Sequence, residues 1–228
     1  MSFQEILGLS LPPVAVAFRP TASPGVPHVG AAGPAGCSYW KLAAEGKVFY
    51  TEAADHYNCP IGAFTHGVDL PVGKAKEMEG LVKAMTKLQY MRMEEVPSIP
   101  RRTAPFGVAM YGPFPGAPFD PDVVLVRGRA KQVMLVVEAA CLAGIGPEVA
   151  VRPRPTCAML PETLLQDRTT ISFGCIGNRV YTGLGDDELY VAIPGRKASE
   201  VMSKLVTIIR ANRELEGFHR ARQPAGKK

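Results

Sequence analysis

Residues 13–18 read Pro-Val-Ala-Val-Ala-Phe, a short apolar run of the kind that forms a buried β-strand. A similar run, Pro-Asp-Val-Val-Leu, occupies residues 121–125. Further β-rich runs lie at 47–51, 106–111, 149–152, 169–173 and 189–193, and helical spacing marks 73–90, 132–142 and the chain from about 197 onward. Strands that alternate with helices favour an α/β or α+β fold. We therefore expect a single compact mixed domain over residues 1–210.

The composition is that of an ordinary globular chain. Of 228 residues, 46% are apolar and 21% are charged, and the formal net charge is +5. These values exclude disordered, collagen-like and coiled-coil proteins. No apolar run approaches the roughly 18 residues of a membrane span, and the N-terminus lacks the basic region of a signal peptide. We expect a cytoplasmic protein with no membrane partner.

Most of the positive charge lies at the C-terminus. Between Arg210 and Lys228 six Lys or Arg residues stand against two Glu residues, which leaves this stretch with a net charge of +4. We interpret residues 211–228 as a basic, flexible tail, because chain ends commonly fray. The sequence carries no recognition-helix pattern and no stacking-aromatic motif, so a nucleic-acid partner is not expected.

The second half of the chain echoes the first, which predicts two pseudo-repeated halves at 11–110 and 119–210. In each half a cysteine follows the first strand, opens a short helix-like stretch and leads to another strand and a second cysteine. These cysteines are Cys37 and Cys59, then Cys157 and Cys175. The offset between the halves is 109 residues for the strand, 120 for the first cysteine and 116 for the second. We expect an approximate two-fold axis, with the cysteines near the interface.

The order of these motifs resembles that of a known family. The motifs are Ala43-Ala44-Glu45-Gly46, Cys59-Pro60-Ile61-Gly62, Phe119-Asp120-Pro121-Asp122, Pro155-Thr156-Cys157, Gly174-Cys175-Ile176-Gly177 and Asp186-Asp187-Glu188-Leu189. Over roughly Leu11 to Arg210 the chain resembles the uncharacterised prokaryotic family called domain of unknown function 169. The resemblance implies that Cys37, Cys59, Cys157 and Cys175 are family positions and that Cys141 is not. It implies no established activity.

The four matched cysteines are candidate metal ligands. Four thiolates suit an iron–sulfur cluster or Zn²⁺. An iron–sulfur cluster is preferred, because closed structural zinc sites commonly use C-x-x-C pairs and the sequence has none. Glycines beside the cysteines allow the backbone to approach a cluster closely. The predicted site is Cys37, Cys59, Cys157 and Cys175. Its expected role is redox or Lewis-acid chemistry with a small molecule or an electron-transfer partner.

Two other interpretations stay open. The protein is alternatively a metal-free thiol-dependent enzyme, or a non-catalytic small-ligand-binding protein whose cysteines only pack. Whether it is an enzyme is left undecided. The sequence lacks the Walker A, G-x-G-x-x-G, H-E-x-x-H and G-x-S-x-G motifs, which weakens nucleotide-binding and standard hydrolase functions.

Several single residues are secondary candidates. Cys141 falls on the spacing of an inner helix face and is predicted to be a small core residue. Trp40 is predicted to be a core anchor, with stacking on a flat ligand as the alternative. His56 and His66 flank Cys59 and are candidate ligands or proton donors.

Two arginines form a separate candidate pair. Arg152 and Arg154 alternate with prolines just before Cys157 and suit an anionic ligand group, with exposed loop charges as the alternative.

Overall fold

A six-stranded antiparallel sheet organises the fold. The computed structural model describes residues 2–31, 33, 35–148 and 154–222. The strands are β1 Val14–Arg19, β2 Phe49–Glu52, β3 Val108–Pro113, β4 Val123–Arg129, β5 Thr170–Ser172 and β6 Glu188–Pro194. Their order across the sheet is β2-β3-β1-β4-β6-β5. Six of the seven predicted strands are confirmed, and the seventh, 149–152, lies outside the described residues.

Helices cover both faces of the sheet. The α-helices of the described residues are α1 Phe3–Leu7, α2 Ser38–Ala44, α3 Pro60–His66, α4 Val72–Lys87, α5 Ala130–Leu142, α6 Met159–Gln166, α7 Ile176–Thr182 and α8 Ala198–Arg222. Helices α2 and α6 pack with one set of strand side chains, and α1, α5 and α8 pack with the alternate set. This division follows from the two-residue period of a strand, which sends successive side chains to opposite faces. The predicted mixed α/β domain is confirmed.

The two halves of the chain join where β1 pairs with β4. Val14 lies opposite Leu125, Ala15 opposite Val124, and Val16 opposite Val123. Beyond these pairs the Asp122 carboxylate accepts hydrogen bonds from the Phe18 backbone N–H at 2.7 Å and from the Arg19 guanidinium at 2.8 Å. The sheet is therefore continuous across the halves.

The strand order has the same form when it is followed from either edge. Each half contributes its second strand at the edge, its third strand next, and its first strand at the centre. The predicted 109-residue offset takes Val14 to Val123 and Val16 to Leu125. Exchanging the halves therefore converts the Val14–Leu125 pair into the Val16–Val123 pair, which is also present. An internal repeat with a two-fold axis requires this pairing of β1 with β4. The repeat itself stays a prediction.

The structure corrects the prediction for Cys141. This residue is exposed, because α5 buries Val133, Val136, Ala139 and Ala140 instead. The buried stripe is centred on the two alanines, which let α8 pack closely against α5. Cys141 lies one residue beyond that stripe and is exposed, with its sulfur beside Gly146.

Three helices were not predicted, and one differs in extent. Helices α1, α3 and α7 have only five to seven residues, too few for a clear period. Helix α8 continues to Arg222, so the first part of the predicted tail is helical. Across the part of the chain that the structure describes, no helix has the length and hydropathy that crossing a bilayer requires.

Candidate metal centre

The four predicted cysteines all stand immediately before or within helix starts on the same side of the sheet. Cys37 precedes α2, Cys59 precedes α3 and Cys175 precedes α7, each at the N-cap position. Cys157 lies in a short 3-10 turn that leads into α6. All four are partly buried free thiols. Three of the cysteines therefore share the N-cap placement, and Cys157 lies two residues before the start of α6.

Contacts between the halves bring these helix starts together. Helix α2 packs against α7, and α3 packs against α6 and the turn that holds Cys157. The Cys175 backbone N–H donates a hydrogen bond to the Thr156 hydroxyl at 2.5 Å, which ties Cys175 to the residue before Cys157. Each first-half cysteine element therefore touches a second-half one.

The thiols are close enough to affect one another's ionisation. Burial raises the pKa of Cys37 to about 12, and the neighbouring Cys59 and Cys175 contribute in the same direction. Burial also raises the pKa of Cys157 well above its ordinary value, again with contributions from the other three cysteines. A thiolate at either position is unfavourable because the site is desolvated and its neighbours are like charges. The structure thus brings all four predicted residues into one region.

Polar side chains of the helices adjoin this region. The Asn178 side chain, on α7, lowers the pKa of Cys37 and so opposes part of the effect of burial. The Thr65 side chain, on α3, does the same for Cys157. Neither residue was predicted. Both are polar residues in short helices. Asn178 follows Cys175 by three residues and Thr65 follows Cys59 by six, and this closeness in sequence is the only feature that could have indicated them.

Glycines allow the close packing around Cys59. A Cβ atom at Gly62 would stand 2.9 Å from the Cys59 sulfur, closer than real Cβ atoms approach. A Cβ atom at Gly36 would stand 3.6 Å from Nδ1 of His56 and 4.0 Å from Cβ of Cys59. A side chain at Gly62 would therefore displace the Cys59 sulfur, whereas a Cβ atom at Gly36 would make ordinary contact with the imidazole and the cysteine.

Two buried histidines contact each other, and one of them, His56, lies near Gly36 and Cys59. The rings of His56 and His66 are 5.0 Å apart and meet edge to face. Burial lowers the pKa of His56 to about 4 and that of His66 well below its ordinary value, so both are neutral at pH 7. Neither nitrogen of His66, nor Nδ1 of His56, has a hydrogen-bond partner among the described residues. The two histidines therefore carry buried nitrogen atoms without a hydrogen-bond partner among the described residues, and the Nδ1 atom of His56 lies nearest to the cysteines.

The remaining candidates have structural roles or lie outside the site. Trp40 is buried in the core beside Tyr190, as predicted for an anchor. Arg154 forms an ion pair with Glu95 at 3.1 Å and stacks over Tyr90, so its charge is already partnered. Arg152 lies outside the described residues.

Within the described ranges, no three His, Cys, Asp or Glu side chains stand in the arrangement of a formed metal site. Ligand side chains commonly rearrange when a metal binds. The donor set itself fits a soft metal, since thiols and imidazoles are the side chains that zinc and iron–sulfur centres take.

Fold and site together define a layered α/β protein that gathers two cysteines from each half on one face of its sheet. The chain belongs to the family described as "Uncharacterised ArCR", domain of unknown function 169, whose model matches residues 2–204. The end of α8 lies beyond the match. No curated protein and no solved structure matches the chain significantly.

Proposed function

We propose that the protein is a cysteine-ligated metalloprotein in which Cys37, Cys59, Cys157 and Cys175 hold an iron–sulfur cluster. The observation that carries the proposal is that four thiols from four separate helix starts, two from each half, lie near enough to raise one another's pKa. We also infer that the halves are a structural duplication, which explains the matched placement.

The electrostatics of the site support a bound cation. In the metal-free protein, burial and like-charge repulsion oppose loss of the protons of Cys37 and Cys157. A metal ion offsets both the burial of the thiolates and the repulsion between them, because it supplies positive charge where the thiolates form. A thiol enzyme needs the opposite environment, one that lowers the pKa of its nucleophile.

The arrangement of the ligands favours a cluster over a single zinc ion. The four cysteines lie on separate elements, whereas structural zinc sites commonly draw ligands in close pairs. The close approach of backbone at Gly62 to the Cys59 sulfur suits a cluster, whose sulfides accept hydrogen bonds from nearby N–H groups. A redox or Lewis-acid role follows from such a centre.

Metal and sulfide analysis of anaerobically purified protein tests the proposal. The expected result is iron with acid-labile sulfide, and less of both when any one of the four cysteines is replaced by serine. Cys141→Ser is the matched control, because that thiol is exposed and lies outside the site. Bound zinc without sulfide would support a metalloprotein and would contradict an iron–sulfur cluster. A metal-free protein after anaerobic reconstitution with iron and sulfide, or with zinc, would overturn the proposal.

A further inference from the structure

His56 presents a buried nitrogen lone pair toward the cysteines. Its side chain is 1% exposed. Nε2 of the ring lies 2.9 Å from the Thr51 hydroxyl, whereas Nδ1 has no hydrogen-bond partner among the described residues. Nδ1 faces Gly36, the residue before Cys37, and Gly36 also adjoins Cys59. The free nitrogen is therefore on the side of the ring that faces the proposed centre.

The contacts of Thr51 fix which ring nitrogen carries the proton. The Thr51 hydroxyl also contacts the carbonyl oxygen of Ala109 at 3.3 Å. A carbonyl only accepts, so Thr51 satisfies both contacts by donating to Ala109 and accepting from Nε2–H of His56. In this neutral tautomer Nδ1 carries an unshared lone pair. Metal-binding histidines are commonly oriented in this way by a partner on the other nitrogen.

We propose that His56 is a nitrogen ligand of the metal centre through Nδ1, and that Thr51 is the residue that positions it. This inference rests on the proposed function. A buried lone pair without a donor is costly, and a metal ion at the cysteines removes that cost. Five donors exceed the four protein ligands that an iron–sulfur cluster or a structural zinc ion takes. One cysteine therefore contributes least, and its serine variant retains more metal than the other three.

The second half of the chain offers no imidazole at the matching positions. The 116-residue offset of the second cysteines takes His56 to Ser172 and His66 to Thr182. Ser172 is buried, and its hydroxyl accepts a hydrogen bond from the Gly174 backbone N–H. Under this inference the donor set is asymmetric, with nitrogen supplied by the first half alone.

Nitrogen NMR of anaerobically reduced protein labelled with ¹⁵N-histidine, titrated with Zn²⁺, tests the assignment. Before Zn²⁺ is added, His56 is expected to carry its proton on Nε2. At saturation the Nδ1 resonance is expected to shift while Nε2 stays protonated. Binding of Zn²⁺ with no change at Nδ1 would overturn this inference and leave the cysteine site standing. Failure of the wild-type protein to bind Zn²⁺ would also overturn this inference, whereas the iron and sulfide analysis decides the proposed function.

Variants at the two residues provide a second measurement. Thr51→Val is expected to lower Zn²⁺ affinity by about 10–100-fold, the usual effect of losing a residue that orients a ligand, and Thr51→Ser to restore it. His56→Gln keeps a polar group near Thr51 and removes the Nδ1 donor, so affinity falls at least as far. His219→Gln, at the exposed end of α8, is the control. Unchanged affinity in folded His56→Gln would contradict the assignment.

Discussion

The rate of alkylation is expected to distinguish the cysteines of the proposed site from Cys141. In metal-free protein at pH 8 we expect iodoacetamide to alkylate Cys141 fastest, because its thiol is exposed. Cys37 reacts slowly, because burial first, and then Cys59, raises its pKa to about 12 and leaves little thiolate. Its rate should climb about tenfold per pH unit below that value, since the thiolate is the reacting form. Mass spectrometry of tryptic peptides measures the order, and rapid labelling of Cys37 at pH 8 would favour a thiol enzyme.

Replacement of Cys141 tests the correction to its placement. A buried cysteine replaced by alanine would cost on the order of 1 kcal/mol. Because the side chain is exposed, we expect Cys141→Ala to change the free energy of unfolding by less than about 0.5 kcal/mol. Urea denaturation measures the difference. A larger loss would mean that the contact of the Cys141 side chain with Gly146 matters more than its exposure indicates.

The candidate site could be proposed from the sequence, whereas its surroundings could not. Matched cysteines are visible as residue types at recurring positions. The Thr51–His56 contact is not, because it depends on a strand and a turn that the fold brings together. The prediction that Cys141 is a core residue was wrong for a related reason. Helical spacing gave it the same pattern as Val133 and Val136, and only the neighbouring helix determines which edge of the stripe is buried.

Among the elements, α3 and α7 show the closest correspondence. Each has seven residues, begins directly after a cysteine and ends at a glycine with positive φ, Gly67 at +78° and Gly183 at +65°. Such left-handed glycines end helices because they lack the Cβ atom that makes this conformation costly. The two glycines therefore form a matched pair for mutation.

Alanine at these glycines should destabilise the protein to different degrees. Gly183→Ala meets no atom within 4 Å, so its cost is that of the left-handed conformation, roughly 1–2 kcal/mol. Gly67→Ala also places Cβ 2.2 Å from the carbonyl oxygen of Arg102. The backbone must move, which adds about 1–3 kcal/mol. Chemical denaturation of both variants measures the difference, and equal losses would contradict it.

Helix α4 shows where periodicity alone fails. Its predicted stripe includes Leu81 and Leu88, yet none of its sixteen residues, all of which the structure describes, is buried. The helix packs against α3 and lies outside both main core clusters. A period of 3.6 residues predicts the helix correctly, but the depth of its burial depends on partners that are distant in sequence.

At the scale of the whole molecule, the two halves depend on each other. Val14 and Val16 of β1 share one core with Val123 and Leu125 of β4. Fragments 1–117 and 118–228, cut in the exposed turn after β3, should therefore fail to fold alone and should associate when coexpressed. Circular dichroism and size-exclusion chromatography measure this. A fragment that unfolds cooperatively as a monomer would show that its half is an independent domain.

The two edges of the sheet affect how readily the protein aggregates at high concentration. The edge strands β2 and β5 have four and three residues. The outer side of β2 is already bonded, since the Tyr50 N–H donates to Pro27 and the Val29 N–H donates to the Tyr50 carbonyl. Long unpaired edges are the templates on which strands from other molecules add. Because both edge strands are short and β2 is already bonded on its outer side, they offer little of this template. We therefore expect the sheet to resist growth into fibres.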